Sequence, residues 1–311
     1  AYAQFRVDKG KITLEKATDI YDLDNALKKK FPAPREITTF HKNVYNLYIR
    51  DSNLSPDYKV SMEKFLEMYE SAAGVEKIDG VVAVDTYVLV EALRILGPET
   101  IGGRVFSADI DKRCDCPRAV YELEDYSTRP VNYVRTERKD IIGILLQQLM
   151  HKALGVSPSQ YWGKLFQMLL DQVNQKHVLA YFLNEQEQKA GESFNMAGRI
   201  MTKEETAGIL AYKEGSGWDY VHLNNSNMAG AKSNMFVSEK VTKDVTVSGD
   251  TLTTKLTVDY NNPYKGSDCN LESGGLCLNA PLRNWVRVYA PAGSKLVDSK
   301  GIISPGDGKA K

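Results

Sequence analysis

Ser55-Pro56-Asp57-Tyr58-Lys59-Val60-Ser61-Met62-Glu63-Lys64-Phe65-Leu66-Glu67-Met68-Tyr69-Glu70-Ser71-Ala72-Ala73-Gly74 reads as one helix at every level. Ser55 can cap it, Pro56 suits the first turn, Asp57 favours the positive helix end and Gly74 ends it. Tyr58, Met62, Phe65, Leu66, Tyr69 and Ala73 recur at helical steps and give one buried face. Ile78 to Val84 follows as an apolar run broken only by Asp79 and Gly80, the pattern of a strand covered on both faces. Asp85 can then cap a second helix, Tyr87 to Leu96, which Gly97-Pro98 stops. Helix, buried strand and helix in succession predict an α/β fold with a layered sheet and flanking helices.

Towards the N-terminus, Phe5-Arg6-Val7 and Ile12-Thr13-Leu14 flank a glycine turn at Asp8-Lys9-Gly10-Lys11 and read as a hairpin. Pro32 and Pro34 mark a loop. Towards the C-terminus the pattern weakens from Gly102 to Val131, a charged stretch with Pro117 and Pro130 that reads as an excursion. Ile141, Ile142, Leu145, Leu146, Leu149 and Ala153 then define an amphipathic helix closed by Gly155. Ser157-Pro158 opens another, with Tyr161, Leu165, Phe166, Leu169 and Val173 on its apolar face.

Beyond Leu183 helical periods fade. Tyr220 to Leu223, Val241 to Val247, Leu252 to Tyr260 and Trp285 to Tyr289 alternate as strands do, with a turn at Ser248-Gly249-Asp250. The predicted division is an α/β domain at 1–232 and a β-rich, sandwich-like module at 233–311, whose tail from Gly301 reads as loose.

The 311 residues, 42% hydrophobic, suffice for one large core or two smaller ones. Forty basic and forty acidic residues cancel without a block of like charges, which argues against general nucleic-acid binding. No apolar run approaches the ~20 residues of a membrane span, and strand character already at Tyr2 reads as a chain that begins inside a domain, which leaves room for a signal peptide or membrane anchor upstream. Cys114-Asp115-Cys116 and the pair Cys269 and Cys277 are local cysteine pairs. With His41, His151, His177 and His222 scattered, zinc-ligand spacing is absent. A Cys269–Cys277 disulfide is expected, and with it export; the bland alternative is two buried thiols. The one-residue loop between Cys114 and Cys116 strains the same bond.

Several polar groupings are candidates for chemistry. Arg50 and Asp51 stand just before a helix start, where free N–H groups and the dipole favour an anion; capping and mutual pairing explain them equally well. Arg135 and Arg138 flank the first turn of the next helix, where cations oppose the dipole, so a phosphate held bidentately is one reason and pairing with Glu137 or Asp140 the other. Asp19, Asp22 and Asp24 lie in one acidic turn that can hold Mg²⁺ through oxygen, or can simply be solvated. Asp85 sits at a strand end, a position that hosts ligands in open sheets and that also caps helices. Asn224 to Asn234 reads as a polar connector in which Lys232 can meet an anion. Ser61-Met62-Glu63-Lys64 matches Ser-x-x-Lys, but no Lys-Thr-Gly follows and the match is set aside.

Asp-Ser-Asn-Leu-Ser-Pro-Asp-Tyr (51–58), Ile-Asp-Gly-Val-Val-Ala-Val-Asp (78–85), Arg-Lys-Asp (138–140), Ala-Gly-Ala-Lys-Ser-Asn (229–234) and Arg-Asn-Trp-Val-Arg-Val-Tyr-Ala-Pro (283–291) together resemble domain-of-unknown-function family 4012 of bacterial envelope proteins. Leu54, Tyr58 and Lys59 stand where that family usually has tryptophan, phenylalanine and proline, and its opening strand would lie before Ala1. A fainter similarity links the same helix–strand–helix run and Arg135-x-x-Arg138 to the LytR-CpsA-Psr family, which transfers glycopolymers from a polyprenyl-pyrophosphate carrier. That resemblance implies arginines on the pyrophosphate and Mg²⁺ on aspartates, although no Pro-Arg-Asp-Thr occurs. The reading is therefore a membrane-anchored, extracytoplasmic protein with a glycopolymer transferase-like domain. Its partner is an envelope glycan or lipid-linked glycopolymer; the alternative is a non-catalytic surface-binding or structural protein. Asp22, Asp24, Asp51 and Asp85 are its candidate catalytic groups, Asp22 and Asp24 its Mg²⁺ ligands, and Arg50, Arg135, Arg138 and Lys232 its substrate-binding cations.

Overall fold

In the computed structural model, which describes residues 1–41, 44–128, 140–155, 158–202, 219–269 and 277–302, the chain folds as a mixed α/β protein with small sheets. The described residues form seven two-stranded antiparallel sheets and no barrel. The expected hairpin is β1 (Tyr2–Asp8) and β2 (Lys11–Thr18). Its two turn residues, Lys9 at φ 49° and Gly10 at φ 83°, take the left-handed conformations of a type I′ turn, whose twist matches that of the strands. A short helix α1 (Tyr21–Asn25) stands where the acidic turn was read. Next, β3 (Phe31–Pro32) pairs with β4 (Asn46–Leu47) around α2 (Arg35–Phe40).

A 3-10 segment, Ile49–Leu54, leads into α3 (Tyr58–Tyr69). The cap is Asp57, not Ser55: its Oδ1 accepts from the backbone N–H of Lys59 at 3.0 Å and of Val60 at 3.3 Å. Ser55 closes the loop instead, its carbonyl accepting from the Ser61 hydroxyl at 2.8 Å. Of the face read from the periodicity, Tyr58, Met62 and Tyr69 are buried and Ala73 is exposed; Tyr69 joins Leu23, Phe31, Leu47, Ile49 and the unread Met68 and Ala72 in a first core cluster, with Phe65 against it.

Among the described residues β5 (Gly80–Val84) pairs only with β10 (Val178–Phe182), and Val82 and Val84 are 60% and 62% exposed. One face is therefore open, contrary to the expectation of a strand covered on both. α4 (Thr86–Leu96) is as expected, capped by Asp85, whose Oδ1 accepts from the Tyr87 N–H, and stopped by Gly97 at φ 86°.

The stretch read as an excursion is structured through residue 128. β6 (Glu99–Ile101) leads into it, and it holds β7 (Arg104–Phe106), β8 (Ile110–Asp111), β9 (Cys116–Pro117) and α5 (Arg118–Thr128). Its order rests partly on charge pairing, to which apolar periodicity is blind. Arg104 meets Glu122 and Asp125, each at 2.7 Å; Arg113 meets Asp111 at 2.6 Å and Glu122 at 2.7 Å.

α6 (Asp140–Gly155) and α7 (Pro158–Asn174) pack with α4 in a second cluster containing Leu93, Phe106, Ile141, Leu145 and Leu149. On α7 the sequence placed Phe166 and Leu169 on the buried face, yet they are 62% and 43% exposed. Tyr161, Leu165 and Val173 are on the inward side as read, and that side continues through the buried Gln172, whose polarity kept it out of a hydrophobic reading.

After α8 (Glu185–Ser193), β11 (His222–Asn227) pairs with β14 (Asn284–Tyr289). Part of the supposed polar connector is thus strand, because Asn224 and Asn225 find side-chain partners in Arg287, Glu239, Tyr260 and Asn284. A 3-10 turn, Ser233–Met235, precedes the long hairpin of β12 (Ser238–Ser248) and β13 (Thr251–Asn261), whose strands are mostly exposed. Packing crosses residue 233. Met228 belongs to the first cluster, with Trp285 against it, while Phe236 and Leu278 share a third cluster with Cys114 and Tyr121.

Candidate functional site

Arg50 is the centre of the best-built polar group. Its Nη1 lies 2.6 Å from Asp24 Oδ2, its backbone N–H donates to Asp24 Oδ1 at 3.3 Å, and its Nε is 3.8 Å from Asp51 Oδ2. The guanidinium also lies over the Tyr21 ring at 4.6 Å and the Tyr48 ring at 4.3 Å. The Asp24 side chain is only 1% exposed, so its charge is tolerated there because Arg50 and backbone donors satisfy it. Burial pushes the Asp51 carboxyl above its usual range and the Asp24 charge adds to this, while Arg50 opposes it. A pocket anion at Arg50 would have to compete with both carboxylates.

Asp24, Arg50 and Asp51 are therefore brought together; the sequence offered the pairing of Arg50 with its neighbour Asp51 but not Asp24 as a partner, and the other described candidates are elsewhere. Asp22 accepts from the Thr18 hydroxyl, while Asp24 faces Arg50; two residues apart on a helix, their side chains do not share a face. The two carboxylates are thus divided between separate partners, and no group of three or more metal-ligating side chains occurs among the described residues. Lys232 Nζ pairs with Glu124 at 3.1 Å. Arg135 and Arg138 lie outside the described residues. Cys269 and Cys277 form the expected disulfide, with Cα atoms 4.2 Å apart. Cys114 and Cys116 form a second one, across an Asp115 held at φ 51°.

Asp85 belongs to a different place. Its Oδ2 is 2.6 Å from His177 Nδ1, and the backbone locks the pair: Asp85 N–H donates to the His177 carbonyl, and His177 N–H to the Gln172 carbonyl. Tyr87 lies against the imidazole with ring centroids 4.4 Å apart. This constellation opens on a cleft of about 700 Å³ between α4 and α7, lined among others by Glu91, Lys164, Gln167, Asp171 and Gln172. The sequence singled out Asp85 but could not supply His177, which reaches it only through the β5–β10 pairing.

A further charged network sits around α5, where the Arg113 side chain, hydrogen-bonded to Asp111, holds that carboxyl down at about 2. Arg113 also stacks 3.7 Å from the Tyr121 ring, beside the Cys114–Cys116 bond.

The fold and these groups define a disulfide-bonded, mixed α/β protein whose cysteine pairing fits an extracytoplasmic location. Residues 1–111 match the family described as Protein of unknown function (DUF4012), so the likeness to that family holds over this part of the chain. No curated protein and no solved structure matches the chain. No described helix is long and apolar enough to cross a membrane.

Proposed function

We propose that this chain is a non-catalytic binding protein of the bacterial cell surface whose partner is an envelope glycan, with a layered α/β part and a sandwich-like β-rich part. The observation that carries the reading is that each described candidate side chain is engaged within the chain: Arg50 by Asp24 and Asp51, Lys232 by Glu124, and, through hydrogen bonds, Asp85 by His177 and Asp22 by Thr18. Such pairing builds a rigid surface better than it builds an open phosphate grip. Two disulfides support an exported setting. The test is co-sedimentation of the full chain with purified bacterial cell-wall sacculi, with and without EDTA. Saturable binding indifferent to EDTA is expected, and no binding overturns the reading.

A second reading, a glycopolymer transferase-like domain that binds a polyprenyl-pyrophosphate-linked glycan with Mg²⁺, is favoured by the convergence of Asp24, Arg50 and Asp51. It requires a soluble polyprenyl-pyrophosphate analogue to bind in a Mg²⁺-dependent way. Arg135→Ala or Arg138→Ala should then weaken that binding by about 1.5–3 kcal/mol, the scale of a charge-assisted hydrogen bond. An affinity unchanged in both folded variants removes it.

A further inference from the structure

We infer that the cleft between α4 and α7 is a saccharide-binding site, with Tyr87 as its aromatic platform and Gln172, His177, Asp171 and Glu91 as acceptors for sugar hydroxyls. The inference rests on the glycan-binding reading for the class of ligand and adds where that ligand sits.

Four observations converge. Gln172 is only 6% exposed, and its amide oxygen is buried with no hydrogen-bond partner among the described residues. A buried acceptor without a donor is costly and rare; the oxygen carries no surface of its own, and because Gln172 lines the cleft, a turn of its side chain brings that oxygen to a ligand's donor. His177 is the second: Asp85 occupies its Nδ1, which leaves Nε2 as the nitrogen free to accept from an occupant. Third, the Asp171 and Glu91 carboxylates each have a neighbour, Gln167 at 3.0 Å and Arg94 at 3.1 Å, yet retain acceptor capacity. Last, Tyr87 is 57% exposed and held beside His177, which presents an aromatic face at the edge of a polar cleft.

Hydroxyl donors along one edge and an apolar C–H face on the other are the two sides of a pyranose ring, and this cleft offers a partner to each. Its volume of about 700 Å³ suits a short oligosaccharide segment. Inorganic anions fit poorly, since among the described lining residues Lys164 is the one lysine or arginine, beside Glu91 and Asp171.

The experiment is an amide-resolved NMR titration of the full chain with tri-N-acetylchitotriose and with maltotriose, using spermidine as an amine control. Saturable shifts at Tyr87, His177 and the Gln172 side-chain amide are expected with at least one trisaccharide. Tyr87→Ala should lower that affinity at least tenfold without changing the melting temperature. Gln172→Leu should also lower it, while leaving the melting temperature equal or higher, because it removes an unpaired buried oxygen; a merely structural glutamine would not behave so. Three results would overturn the site: no saturable shift with either sugar, shifts with spermidine alone, or affinity unchanged in both variants. If both variants lose the trisaccharide site yet still sediment with sacculi like the wild type, this cleft is not where the wall binds, and envelope binding survives without it. Trisaccharide binding by a chain that ignores sacculi has the opposite meaning.

Discussion

Asp24 shows how much one side chain can hold in this molecule. It is almost fully buried, it faces a guanidinium that is itself 30% exposed, and that guanidinium is wedged between two tyrosines. Asp24→Ala should destabilise the protein by about 2–4 kcal/mol in urea denaturation, since it strands a partly buried cation and its backbone neighbour. Combining it with Arg50→Ala should cost less than the sum of the two single changes, because both remove the same interaction. Asp111 makes a prediction in pH. Its folded pKa of about 2 lies below the ~3.9 of an unfolded aspartate, so the unfolded state binds protons first as the solution is acidified. Its stabilising contribution is complete above about pH 4 and is lost as pH falls towards 2. Melting temperatures of the wild type and Asp111→Asn should therefore draw together between pH 5 and about 2.5, and a constant gap would refute the linkage. Asp51 runs the other way, because its raised pKa makes the ionised form the disfavoured one in the fold.

At the scale of elements, Asp57 joins the start of α3 to a distant segment. Its Oδ1 caps the helix, and its Oδ2 accepts from the backbone N–H of Ile200 at 3.0 Å. Asp57→Ala should cost about 2–3 kcal/mol, more than the ~1 kcal/mol typical of a cap, and calorimetry would check it. A loss of only the ordinary cap value would mean that the Ile200 contact contributes nothing. This element also shows what the sequence made legible. Both Ser55 and Asp57 are capping residues, and the periodicity located the helix, but only three-dimensional contact with residue 200 selects between them. The helices α4 and α6 were readable because their buried faces are apolar. The helix α5 was not, because Glu122 and Asp125 are buried on it by virtue of arginines elsewhere in the chain. For the same reason the Arg50 group was half visible, its partner Asp51 being adjacent, while the Asp85–His177 pair was hidden behind a separation of 92 residues.

Across the whole molecule, composition changes near Ser233 and suggests two modules, while the packing runs through that point. Ser233 is fully buried, its hydroxyl oxygen accepts from the Ala280 N–H at 3.2 Å, and the Lys232 N–H donates to the Leu278 carbonyl at 2.9 Å. Limited proteolysis under native conditions should therefore spare residues 228–236, and calorimetry should show no transition belonging to the β-rich part alone. Early cleavage inside that window would instead favour two separable modules.

The first core cluster gathers Leu23 and Phe31 from one end of the chain and Met228 from far along it, with Trp285 laid against them, and the Arg283 side chain donates to the Phe40 carbonyl across 243 residues. A ribosome delivers the N-terminal half of such a protein long before the pieces that complete its core exist. Until residue 285 has emerged, the early helices and hairpins have no finished surface to settle on, and closing so large a loop is slow. A nascent chain that stays open for that long remains threadable, which is the condition a polypeptide must meet to pass through a narrow translocation channel before folding on the far side.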